Sequence, residues 1–201
     1  MTIHPEIFWS LTAFAFVASV TPGPNNLMLM TSGVKFGFAR TVPHLAGVIL
    51  GFALMIAIVG FGLDALFERF PATLPVMRVL GSAYMLWLAL KIALARSPHD
   101  VEAKGRPLGF LAAAAFQWVN PKAWMLALGA LSTYAGVADG YIRSVMLTAA
   151  LCGLIAIPCA CLWALGGAWL SRFLRDPDVA RPFNWLMAAL LVASIAPVLL
   201  E

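Results

Sequence analysis

TPGPNNLMLM, residues 21–30, sets two prolines, a glycine and two asparagines between apolar runs. Pro22 and Pro24 each lack a backbone donor, and each disfavours helix in the residue before it. Gly23 between them tolerates conformations that other residues avoid. The stretch therefore predicts one helix ending near Val20 and a second starting at Pro24, since proline suits the first position of a helix. Such a break leaves the carbonyls of residues 17–20 and the amides of Asn25, Asn26 and Leu27 without helical partners. In lipid these groups would be costly unless buried in protein or lining a wet cavity.

Lipid is the surrounding that the composition demands. The chain has 201 residues, of which 62% are hydrophobic and 11% charged, and its mean hydropathy is +0.91. A soluble domain is about half apolar and a quarter charged, and a core of this size cannot hide the excess. The expected fold class is an all-α membrane protein with six transmembrane helices. The spans cover roughly 7–33, 42–64, 75–94, 108–133, 144–170 and 182–200, each near the ~20 residues that cross a hydrocarbon core. The N-terminus has no Lys or Arg before the first apolar run, unlike a cleaved leader, so the first segment reads as a retained span.

Basic residues orient the spans. Lys35, Arg40, Lys91, Arg96, Lys104, Arg106, Arg172, Arg175 and Arg181 fall on one side, against Arg69, Arg78 and Arg143 on the other. This bias puts the first side in the cytoplasm and both termini outside it. The polar segment SPHDVEAKGRP, 97–107, then reads as a cytoplasmic loop dividing a single transporter domain into repeats at 1–96 and 108–201. Three spans per half mean that the second half enters from the opposite side, the arithmetic of an inverted repeat.

Both halves break their first span. The second break is Asn120-Pro121-Lys122 in span four. Interrupted spans at corresponding positions point to a transport site near the midplane. A helix N-terminus facing free carbonyls suits a zwitterion: amides attract a carboxylate, and carbonyls attract an ammonium or a proton. Asn25 and Asn26 add side-chain donors and acceptors. Lys122 is costly in mid-span and points to function. It can hold a carboxylate, exchange a proton, or cap Asn120 and the free carbonyls.

His44 and Asp64, at opposite ends of span two, are further candidates for proton coupling, though each also fits a structural role. Tyr84 and Trp87 share a face of span three and could line a pocket or simply pack. Gly47 and Gly51 form a GxxxG pair suited to close helix contact. Trp9, Trp169 and Trp185 lie near span ends, as in an aromatic belt.

The sequence asks for no cofactor, metal ion or nucleic acid. It has no Walker A segment and no HExxH, and His4, His44 and His99 are far apart. The partners it implies are a small molecule and the bilayer, and a homo-oligomer is compatible with it. Cys152, Cys159 and Cys161 share one apolar stretch and read as packing residues. They leave open a membrane redox protein or enzyme as an alternative, as does a non-transporting scaffold subunit; neither alternative needs paired helix breaks.

Three pieces carry a family resemblance: TPGPNN at 21–26, LGSAYMLWLALKI at 80–92 and FQWVNPKAW at 116–124. In their order and spacing the chain resembles the LysE/RhtB family of amino-acid exporters. ALSTYAG at 130–136, CLWALGGAWLSRFLR at 161–175 and NWLMAALLVAS at 184–194 are similar to its cysteine/O-acetylserine branch. The resemblance implies efflux of amino acids or their derivatives across the bacterial cytoplasmic membrane, driven by the proton motive force. It also implies that Thr21, Pro22, Gly23, Pro24, Asn25, Asn26, Asn120, Pro121 and Lys122 surround the transport path. Cargo would leave by rocking of the two halves.

Overall fold

The computed structural model describes residues 5–63, 72–95, 106–134, 140–174 and 176–200. Within them the regular structure is helical. Helix α1 is Pro5–Val20 and α2 is Pro24–Phe36, and the two meet at a bend of 54°. The first helix stops at the residue expected from the prolines, and Pro24 opens the second with Gly23 as its cap.

After α2 the chain turns on a single residue. Gly37 has φ 75°, a left-handed conformation that favours glycine, and its N–H donates to the Gly33 carbonyl at 3.0 Å to close α2. Helix α3, Phe38–Ile58, follows at once and runs on into a π-helical turn, Val59–Leu63. Helix α4 is Thr73–Leu94. The second helix break lies after α5, Phe110–Phe116, and a 3₁₀ turn at Gln117–Val119, and before α6, Pro121–Tyr134. Helix α7, Tyr141–Leu170, has 30 residues and α8, Pro177–Leu200, has 24.

By length and hydropathy, Phe38–Gly62 and Tyr141–Leu170 can each cross a membrane, and the bent α1–α2 pair passes the same test when taken as one span. Ser82–Leu94 and Phe110–Val119 are shorter apolar helices. At ~1.5 Å per residue α7 is about 45 Å long, more than a ~30 Å hydrocarbon core needs, so it must tilt or project. The apolar faces turned outward on α3 and α7, such as Leu50, Leu54, Leu154 and Leu162, are more than half exposed, as a lipid-facing surface requires. Trp9, Trp169 and Trp185 are exposed, the first two near helix ends.

Small residues bring the helices together. A Cβ on Gly33 of α2 would fall on the Ala164 carbonyl oxygen of α7, and a Cβ on Gly167 of α7 on the Met30 carbonyl oxygen of α2. The GxxxG pair serves α5: a Cβ on Gly51 would lie 2.5 Å from the Ala114 Cα, and one on Gly47 would strike the Phe110 carbonyl. Close backbone approach of this kind is how helices associate where lipid removes the hydrophobic drive between them.

Helix α7 runs through the assembly and touches α1, α2, α3 and α6. Helices α4 and α8 pack on each other through Met85, Leu88, Ala89 and Ile92 against Met187, Ala188 and Leu191, and the same buried cluster takes in Leu27 and Met30 of α2. The buried amide of Asn184 on α8 donates to the Ala95 carbonyl at 2.9 Å, satisfying an acceptor at the end of α4.

Candidate functional site

The two helix breaks, about a hundred residues apart in sequence, meet in space. At the first, side chains claim two of the carbonyls freed by the prolines. The Ala18 carbonyl accepts from the Thr21 hydroxyl at 3.1 Å, and the Ser19 carbonyl accepts from Asn26 Nδ2 at 2.8 Å. Asn26 Nδ2 also donates to the Thr21 carbonyl at 2.8 Å. Both amide hydrogens of Asn26 are thus spent on the end of α1, and this buried residue serves as a positioning group.

At the second break Asn120 is 2% exposed and caps α6. Its Oδ1 accepts from the Lys122 backbone N–H at 3.2 Å, and Pro121 fills the next position, the arrangement favoured at a helix start.

The Lys122 side chain crosses from α6 to the other break. Its ammonium donates to the Thr21 carbonyl at 2.8 Å, to Thr21 Oγ1 at 2.9 Å and to the Pro22 carbonyl at 3.0 Å. A lysine ammonium has three donors, and all three are engaged here. The stem lies over Gly23, where a Cβ would be 2.7 Å from Lys122 Cδ, so the glycine makes room for the lysine. Of the roles the sequence allowed Lys122, the capping of free carbonyls is the one drawn by the geometry, and the carbonyls belong to the opposite half.

A second link was missed by the sequence reading. Asn25 Nδ2 donates to Gln117 Oε1 at 2.8 Å, and Gln117 Nε2 donates back to Asn25 Oδ1 at 3.2 Å. Gln117 is fully buried, and its remaining amide hydrogen goes to the Ala113 carbonyl at 2.9 Å. Gln117 therefore sets which way the Asn25 amide faces. Nothing in the sequence singles it out, although a glutamine three residues before Asn120 in an otherwise apolar segment was a readable signal. Gln117→Leu should lower stability by roughly 1–3 kcal/mol, since it removes two hydrogen bonds to Asn25 and one to the Ala113 carbonyl. Thermal unfolding in detergent checks this.

A cavity of about 60 Å³ opens beside these residues, between Asn25, Asn26, Asn120 and Lys122 on its polar side and Val48, Phe52, Ala156 and Ala160 on its apolar side. That is room for water. A larger cavity of about 330 Å³ lies across Lys122, bounded by Thr21, Pro22, Met125, Leu126, Leu190 and Ala193. Lys122 and Leu126, one turn apart on α6, border both.

The other sequence candidates stand apart. Tyr84 packs against Trp87 and Phe116, with ring centroids 5.4 and 5.6 Å away, outside the walls of both cavities. His44 is buried one turn before Val48, and its Nδ1 has no hydrogen-bond partner among the described residues. Asp64 and His99 lie outside the described residues. Cys152, Cys159 and Cys161 are free thiols on α7, and Cys152 sits among Leu11, Ala15, Ile56 and Ala149 in an apolar cluster. Among the described residues no group of three or more His, Cys, Asp or Glu side chains could hold a metal ion.

Comparison with known proteins gives a consistent result. The family model for the LysE type translocator matches residues 16–200. The cysteine/O-acetylserine efflux protein of Salmonella typhimurium is 34% identical over 188 residues, covering 92% of each chain. The protein of the same description from Klebsiella pneumoniae is 34% identical over 203 residues, covering 98% of this chain and 99% of its own. The one from Escherichia coli is 32% identical over 188 residues, covering 92% of each. No solved structure matches the chain.

Proposed function

This chain belongs to the LysE type translocator family, and from that premise we propose that it is a secondary exporter carrying small amino acids or their derivatives out of the bacterial cytoplasm. The observation that carries the proposal is the meeting of two broken helices beside a cavity, with Lys122 bonded across the gap to Thr21 and Pro22. Broken helices around a central site are the recurring architecture of secondary transporters. The cargo class is supported by the relatives described as cysteine/O-acetylserine efflux proteins.

In this reading Thr21, Pro22, Gly23, Pro24, Asn25, Asn26, Asn120, Pro121 and Lys122 bound the path. The N-terminus of α2 offers amides to a carboxylate, Gln117 orients Asn25 there, and Asn26 holds the end of α1. Tyr84 lies outside this ring of residues. The membrane arrangement is six spans in two inverted three-span repeats, 1–96 and 108–201, joined by the cytoplasmic loop 97–107, with both termini outside. The proton motive force drives export, with Lys122, His44 and Asp64 as the candidate coupling groups.

Cells preloaded with labelled cysteine, O-acetylserine, threonine, homoserine and lysine test this. The expected result is faster efflux of the small neutral members when the protein is expressed, and loss of that increment on adding a protonophore. Efflux unchanged for the whole panel would overturn the exporter reading; efflux indifferent to the protonophore would overturn the coupling.

A further inference from the structure

Two of the three oxygens around the Lys122 ammonium, both of Thr21, are held in place without its help. Thr21 is fixed by its own N–H, which donates to the Val17 carbonyl at 3.1 Å, and by its hydroxyl, which donates to the Ala18 carbonyl at 3.1 Å. That second bond spends the hydroxyl proton and leaves the Oγ1 lone pairs for the ammonium. The Thr21 carbonyl is anchored by Asn26, whose other N–H is pinned to Ser19. The Pro22 carbonyl has the ammonium as its described partner. All three oxygens lie just beyond the C-terminal end of α1, where the helix dipole favours a cation.

We propose that Thr21 O, Thr21 Oγ1 and Pro22 O form a binding site for a primary ammonium group, filled here by the chain's own Lys122 and filled during transport by the α-ammonium of the cargo. The cage is formally neutral, so exchanging one ammonium for another leaves its charge unchanged. An amino-acid α-ammonium carries the same three donors as lysine. The cage is reachable: Thr21, Pro22 and Lys122 all border the cavity of about 330 Å³, and Lys122 also borders the smaller polar one. Once displaced, the Lys122 ammonium stands beside the cargo that displaced it and becomes a partner for the cargo's carboxylate. Lys122 thus works as a tethered imitation of the cargo: it seals the gap between the helix breaks and yields only to a molecule with an ammonium to replace it.

The identity of the cargo rests on the exporter reading, but the cage does not, and the test separates them. The variant Lys122→Ala, purified in detergent, is unfolded thermally with methylammonium chloride and, at equal concentration, with tetramethylammonium chloride, which has no N–H to donate. The expected result is a rise of roughly 3–6 °C with methylammonium at ten times its dissociation constant, no rise with tetramethylammonium, and no comparable rise in the wild type, whose cage is filled. Equal responses to both salts, or to neither, would overturn the site. Lys122→Met repeats the measurement with the lysine stem retained. If neither variant survives solubilisation alone, methylammonium present throughout should restore a monodisperse protein; failure to do so also overturns the site. A methylammonium response without amino-acid efflux would remove the exporter reading and keep the cage, whereas efflux without the response would remove the cage alone.

Discussion

Lys122→Ala reaches the membrane at least as well as the wild type and exports about a hundredfold more slowly. The two halves of this expectation pull in opposite directions, which makes the result diagnostic. A lysine in the middle of a span costs roughly 2.5–3.5 kcal/mol on insertion scales, so its loss eases insertion. The same change removes three charge-assisted hydrogen bonds and leaves the Pro22 carbonyl without the partner described for it. In the proposed cycle it also removes the partner of the cargo's carboxylate; a hydrogen bond to a charged group is worth ~1.5–3 kcal/mol, and about 2.7 kcal/mol corresponds to a hundredfold in rate. Efflux of the labelled panel at matched membrane abundance gives the answer. Export retained within a few-fold would remove Lys122 from the transport cycle.

The second large effect concerns the seam between α2 and α7. Gly167→Leu should abolish recovery of folded protein, while Gly166→Leu, one residue away, should leave it near the wild-type level. A Cβ at Gly167 falls on the Met30 carbonyl of α2, whereas a Cβ at Gly166 meets nothing within 4 Å. Overpacking a tight contact costs typically ~1–3 kcal/mol and sometimes more, and here the obstacle is backbone, which cannot swing aside as a side chain can. The reciprocal contact of Gly33 with Ala164 lies on the same seam, so the two helices cannot separate locally without losing both. Size-exclusion profiles of the two variants decide the matter, and similar monodisperse yields would show that the seam is slack.

These cases mark what the sequence could disclose. Pro22, Pro24 and Pro121 announce broken helices because a missing donor is a property of the residue itself, and α1, α2 and α6 begin or end where those prolines require. Lys122 is legible because a charge in an apolar span is conspicuous. Its destination is not: the Thr21 and Pro22 carbonyls are backbone groups on another element, and no periodicity points to them. Gln117 escaped notice for the same reason, since its partner Asn25 lies 92 positions away. The GxxxG pair declared close contact, but not that α5 would be the helix received. Gly166 and Gly167 are identical as letters, and only the helix phase tells open space from a backbone wall.

Helix α7 also bears on how such a molecule can move. It comes from the second half of the chain yet grips α1, α2 and α3 from the first; α8, also from the second half, is paired with α4 from the first. Chain order and mechanical order therefore differ. In an engineer's terms α7 with its clasped neighbours is a frame closed by glycine seams, and α4 with α8 is bolted to that frame through Leu27 and Met30 of α2. The seam between them passes the cavity bordered by Thr21, Lys122 and Leu190.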